Sequence, residues 1–143
     1  MPDHNQKKLE QVRGHVAAQP FTQLVGAEVS SVSDQGCELS LPLRKELTQQ
    51  HGFAHGGVIS YLADNAVTIA GALALQAPAV TSEFKINYIR PGIGEQLIAR
   101  AECLHAGRSQ AVCRCEVYVI KDGKEKLCAA AQATISLLGK PSA

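Results

Sequence analysis

The amino-acid sequence predicts an α+β fold in which a curved antiparallel sheet wraps around one long central helix. Two observations carry this expectation. Between Gly56 and Leu75 the run VISYLADNAVTIAGALAL is apolar nearly all round at helical spacing, as in a helix buried on most sides. From Val80 to Leu137 successive segments alternate apolar and polar residues with period two, the mark of strands with one face buried. Residues 1–143 contain no repeat, low-complexity tract or linker, so a single domain is expected, large enough for a core without disulfides or metals.

The first 20 residues read as a helical segment: Leu9, Val12 and Val16 share helical spacing over residues 5–18, and Asn5 is available as a cap. Val25–Val32 and Gly36–Leu43 follow as two strands joined by the turn Ser33-Asp34-Gln35-Gly36. In the second, Cys37, Leu39, Leu41 and Leu43 alternate with Glu38, Ser40 and Pro42. The central helix spans Gly56–Leu75, and Pro78 is expected to end it. In the strand Val80–Ile89, Phe84, Ile86 and Tyr88 oppose Glu83, Lys85 and Asn87, and Pro91-Gly92 closes it. Strands at Gln96–His105, Gln110–Lys121 and Lys126–Leu137 complete the sheet, the last two joined by the tight hairpin Lys121-Asp122-Gly123-Lys124.

With 14 basic and 13 acidic residues the formal charge is +1, too small a field to hold a phosphate backbone, so nucleic acid is not an expected partner. The five cysteines are odd in number and most lie in alternating apolar segments, which suits reduced core residues of a cytoplasmic protein. The N-terminal charges precede no apolar stretch, and no later segment is expected to reach the length needed to span a bilayer, so neither export nor membrane anchoring is predicted.

Chemistry concentrates in HGFAHGGVISYLAD, His51 to Asp64, where a His-Gly-Gly corner opens an apolar helix that carries a carboxylate. An ionised Asp is costly to desolvate, so it is expected to be paired, hydrogen-bonded or kept for chemistry. Ser60, Asp64 and Thr68 fall on one side of the helix, with Gly71 near the same line and Tyr61 and Asn65 flanking it. Thr68 could orient the acid or a water; alternatively it bonds back to the carbonyl one turn earlier. At the helix start Gly56 and Gly57 present N–H groups with no intrahelical acceptor, a place for an oxyanion, although glycine-rich helix starts are common.

His51 and His55 are spaced like a metal pair, but the glycines between and after them oppose a helix through both and no third ligand is apparent, so no metal is expected. His15 and His105 read as surface or strand-end residues. Cys113 and Cys115 share one face of a strand and suit core packing. Arg90 and Arg108, at a turn and a strand junction, either meet phosphates from solvent or are simply solvated.

HGFAHGGVISYLADNA resembles the central motif of hotdog-fold acyl-CoA thioesterases of the phenylacetate-pathway and 4-hydroxybenzoyl-CoA types. TSEFKINYIRPGIGEQLIARAE is similar to the strand, Arg-Pro-Gly turn and next strand of the same families. The resemblance implies a hotdog fold, hydrolysis of an acyl-CoA, and no cofactor beyond the coenzyme A of the substrate. It implies homodimers that share active sites at their interface and pair further into a homotetramer. By position it makes Asp64 the nucleophile or general base, Gly56 the N–H that polarises the thioester carbonyl, and His55 a support for that corner. Gln49 becomes the amide that orients water or acyl group, and Thr68 the hydroxyl that positions water, a task Thr81 performs in some relatives. With Gly57, Tyr61, Arg90 and Arg108, Thr81 makes up the expected substrate-binding set, and Phe53, Tyr61 and Leu62 are candidate pocket walls.

In one branch the amide is typically Asn with an Asp acid, in another Gln with Glu. Gln49 beside Asp64 mixes the two, which leaves open the acyl preference and whether the acid attacks carbon or activates water. Two other functions suit the same fold: a hydratase or dehydratase of acyl thioesters, and an acyl-CoA-binding module without turnover. The order His-Gly-Gly then acid fits hydrolysis better.

Overall fold

The computed structural model of the chain describes residues 3–139. Its first helix, α1 (His4–Ala17), is capped by Asp3, whose carboxylate accepts from Gln6 N at 2.7 Å; Asp3, not Asn5, is therefore the cap. A short helix absent from the sequence expectation follows, α2 (Pro20–Val25). Pro20 starts it, where a missing N–H costs nothing, and Gly26 ends it at φ 96°. The strand expected from Val25 consequently begins at Glu28.

The remaining elements are β1 (Glu28–Val32), β2 (Gly36–Pro42), a 3-10 turn at Lys45–Leu47, α3 (Gly56–Leu75), β3 (Ala79–Tyr88), β4 (Gln96–Ala106), β5 (Gln110–Lys121) and β6 (Lys124–Leu137). α3 stops before Pro78, because Gln76 turns left-handed at φ 56° and donates back to Ala72 O. Asp122 and Gly123 both have positive φ, 52° and 76°, as the expected two-residue hairpin requires.

The strands form one six-stranded antiparallel sheet in the order β1-β2-β4-β5-β6-β3, with β1 and β3 at its two edges. α3 lies across it. Leu62, Ala63, Ala66, Val67 and Ala70 of the helix pack, fully buried, in one core with Leu39, Leu41, Leu97, Ala99, Val117, Ala133 and Ile135 of the strands. At Gly71 helix and sheet come so close that a Cβ would stand 2.6 Å from Ile135, which makes glycine a packing requirement there.

Only half of α3 is buried, less than its composition suggests, because one side faces away from the sheet. Contrary to the sequence reading, its 20 residues are apolar and long enough to cross a membrane; here the apolar side is spent on the sheet. Leu62, a candidate pocket wall, belongs to that core. All five cysteines are free, four of them buried, and burial pushes the thiols of Cys113 and Cys115 up to about 12 and that of Cys128 to about 11. They pack as neutral thiols.

Candidate active site

The loop before α3 is closed on itself. Gln49 N donates to Phe53 O at 2.9 Å, Gly52 N to Gln49 O at 3.0 Å with Gly52 at φ 82°, and the Gln49 side-chain oxygen accepts from His51 N. That bond leaves the Gln49 NH₂ to donate elsewhere. Next, His55 N donates to Leu47 O and Ala54 N to Gly92 O, each at 2.9 Å, which fixes the corner against the Arg-Pro-Gly turn that contains Arg90.

His55 is the N-cap of α3: its Nδ1 accepts from Gly57 N at 2.8 Å, so a neutral ring carries its proton on Nε2. This corrects the expectation of two open donors. Gly57 N–H is satisfied by the histidine, and Gly56 N–H alone has no acceptor among the described residues. Tyr88, which sequence reasoning did not single out, covers this corner. A Cβ at Gly56 would lie 3.6 Å from its ring, and its hydroxyl bonds to Ser60 Oγ and donates to Gly56 O at 3.3 Å. Tyr88 is itself 55% exposed, and the sequence signal was its place on the apolar side of the alternation in β3, where a tyrosine brings a hydroxyl that seeks a polar partner.

Two turns further along α3, Thr81 Oγ1 donates to Asp64 Oδ1 at 2.6 Å, and Thr68 Oγ1 sits 2.8 Å from both Thr81 Oγ1 and Asp64 O. Thr81 has one proton and gives it to the carboxylate, so the single Thr68 proton is shared between Asp64 O and Thr81 Oγ1. Both sequence readings of Thr68 are thus partly realised: it bonds back to the carbonyl of Asp64, and it reaches the carboxylate only through Thr81. A register shift between Thr81 and Glu83, on β3 against β6, accompanies this approach to the helix. Asp64 is half-buried, and its second carboxylate oxygen has no hydrogen bond among the described residues.

Tyr61 is engaged elsewhere. Its hydroxyl bonds to Thr22 Oγ1, Asn65 Nδ2 lies 3.3 Å from it, and its ring meets Phe21 edge-on at 5.0 Å. This network, which includes the buried Thr22 and the exposed Gln19, clamps α2 onto α3 and was invisible without α2. Phe53 is half-buried in the loop beside His51. The two arginines are not brought together. Arg90 adjoins the N-terminal corner of α3, whereas Arg108 shares a cleft with Leu75, Gln76 and Pro78 at its C-terminal end, about 30 Å away along a 20-residue helix. Among the described residues no three His, Cys, Asp or Glu side chains group so as to hold a metal ion.

An open N–H at a helix start, a carboxylate held by a hydroxyl, and a side-chain amide in the loop before the helix are parts that acyl transfer uses. Residues 51–126 match the Thioesterase superfamily. The chain belongs to this family. A thioesterase family protein of Silicibacter pomeroyi is 36% identical and superposes with a TM-score of 0.85 over 91% of this chain and 98% of its own. A mutant of the phenylacetic acid degradation protein PaaI of Thermus thermophilus is 30% identical, with a TM-score of 0.73 over 84% of this chain and 100% of its own. The 1,4-dihydroxy-2-naphthoyl-CoA hydrolase of Listeria monocytogenes is 28% identical over 118 residues, 81% of this chain and 94% of the relative. This thioesterase therefore has the expected hotdog architecture and is a thioester hydrolase of PaaI-like kind.

Proposed function

We propose that this thioesterase hydrolyses an aryl- or medium-chain acyl-CoA to the free acid and coenzyme A, with each active site shared by two copies of the chain. The observation that carries the proposal is the half-buried Asp64 carboxylate held at 2.6 Å by Thr81, with Thr68 behind it. In this reading the thioester carbonyl docks on Gly56 N–H, at the positive end of the helix dipole, in a corner kept rigid by His55 through Gly57 N–H. Asp64 either attacks the carbonyl carbon, giving an anhydride that water cleaves, or takes a proton from an attacking water. In both routes the C–S bond breaks and coenzyme A leaves as a thiolate that water protonates. Gln49 donates through its free NH₂ to the water or acyl oxygen, and Thr68 and Thr81 hold the acid. Arg90 and Arg108 meet the phosphates of coenzyme A.

Sharing follows from length. Asp64 stands eight residues after Gly56, about 12 Å along the axis, too far for its carboxylate to touch a carbonyl carbon held on its own chain's Gly56. β3 is an edge strand, and antiparallel pairing of two such edges sets the N-terminal half of one α3 beside the C-terminal half of the other. The same pairing brings the end with Arg90 toward the partner's end with Arg108. We further propose a homotetramer of two such dimers, in the cytoplasm, one domain per chain, with no metal, nucleic acid or membrane in its work.

The test is free-thiol release from aryl and straight-chain acyl-CoAs by the native chain and by Asp64→Asn, with thermal melts to verify folding. The expected result is a loss of at least ~10²-fold for Asp64→Asn, about 2.7 kcal/mol of barrier. Full activity in that variant overturns the role of Asp64. Tight acyl-CoA binding without turnover makes the protein a binding module, and hydration of an enoyl-CoA without thiol release makes it a hydratase.

A further inference from the structure

α3 opens on Gly56 and Gly57, two successive residues with no side chain to restrain the backbone. The peptide unit between them is nevertheless held at both polar ends. Its N–H, from Gly57, donates to His55 Nδ1 at 2.8 Å, and its C=O, from Gly56, accepts from the Tyr88 hydroxyl at 3.3 Å. The first hold is the helix's own cap. The second comes from the end of β3, 32 residues along the chain.

The Tyr88 hydroxyl gives its one proton to Gly56 O, so in its bond with Ser60 Oγ the serine donates. Ser60, on the stripe of Asp64 and Thr68, is thereby taken up by the tyrosine and not by the acid. One phenol oxygen ties positions 56 and 60, one turn apart, to the sheet. The anchor is firm, because β3 is paired as far as Tyr88, opposite Ala129, and Ile89 N continues the ladder to Cys128 O at 2.8 Å. In the preceding peptide unit His55 O accepts from Val58 N at 2.9 Å and from Ile59 N at 3.2 Å, which leaves Gly56 N–H as its open end. Where that N–H points is set by the turn behind it.

We propose that Tyr88 is a positioning residue for the hydrolysis: through Gly56 O and Ser60 Oγ it fixes the first turn of α3, and with it the direction of Gly56 N–H. This rests on Gly56 N–H being the donor to the thioester oxygen, as in the function proposed above. The tyrosine hydroxyl acts on the backbone and not on the substrate. With Gly57 N–H withdrawn by His55, a single backbone donor of the corner meets the charge that develops on that oxygen, and such a bond weakens steeply as its angle departs from linear. No neighbouring N–H compensates for a misdirected one. The hold is therefore felt most in the transition state, where the oxygen carries charge, and little in the binding of the ground-state thioester.

The experiment compares kcat and KM on one acyl-CoA in the native protein, Tyr88→Phe, Ser60→Ala and the double variant, with thermal melts. Tyr88→Phe keeps the ring and removes the oxygen. The expected result is a kcat lowered ~10-fold in Tyr88→Phe with KM within ~2-fold of native, a smaller loss in Ser60→Ala, and a double variant no worse than Tyr88→Phe, since the serine acts only through the tyrosine. A second readout does not pass through turnover: the infrared carbonyl stretch of a bound acyl-CoA ketone analogue, in which a methylene replaces the thioester sulfur. A donor on the oxygen lowers that frequency below its value in water-free solution, and Tyr88→Phe is expected to lose part of the lowering. An unchanged kcat, an unchanged frequency, or a loss confined to KM or to the melting midpoint overturns the proposal for Tyr88 alone. Absence of any lowering in the native protein, or of turnover, overturns the parent reading of Gly56 N–H and the role of Tyr88 with it.

Discussion

On the sheet side of α3, Leu62, Ala63, Ala66, Val67 and Ala70 are fully shielded from water, whereas on its β3 side Ser60, Asp64 and Thr68 are each half-buried and each hydrogen-bonded. The partners on the second side come from one strand: Tyr88 for Ser60, and Thr81 for Asp64 and Thr68. One helix therefore serves as core and as site, and the two duties are divided by face. The apolar face sets where the helix lies, to the closeness that Gly71 and Ile135 demand, and that position decides whether a threonine on β3 can reach the acid. A strand at the edge of the sheet supplies the chemistry's supports, while the central strands supply the packing.

The division can be broken from either side. Leu62→Ala deletes a fully buried side chain and should cost about 2–5 kcal/mol in urea unfolding, with kcat of the folded protein little changed; a small loss would mean that the core can collapse around the cavity. Thr81→Val keeps the shape and removes the hydroxyl, so the reverse signature is expected. Here kcat drops ~10-fold, about 1.4 kcal/mol, with only a small shift in the melting midpoint. If kcat stays at the native value, the carboxylate does not depend on β3, and the seam is a structural feature. His55→Ala removes the cap on Gly57 N–H and should destabilise by about 1 kcal/mol. His55→Asn, which can cap, should recover that stability, and recovery of stability without recovery of kcat would separate the corner's rigidity from its contact with substrate.

Much of this was legible because it is local. The stripe of Ser60, Asp64 and Thr68 follows from four-residue spacing on a helix, the sheet from period-two alternation, and the hairpin from the chemistry of Asp122-Gly123. The limits of local reading lie at short elements and at long range. α2 has six residues, too few for periodicity to show, and with it went the clamp of Gln19, Thr22, Tyr61 and Asn65. A nitrogen of His55 could be seen as a site residue but not as the acceptor that withdraws Gly57 N–H from the pair of open donors.

By itself, then, the sequence determined the helix, the strands, the acid and the glycine corner, since each depends on neighbours within a few residues. Tertiary structure alone decided which hydroxyl holds the acid, what covers the corner and how far apart the arginines stand. Thr81 meets Asp64 across 17 residues of chain, and Tyr88 meets Ser60 across 28. Contacts at such separations depend on strand register and on the depth to which the helix sinks into the sheet, and both are set by the packing of the whole core.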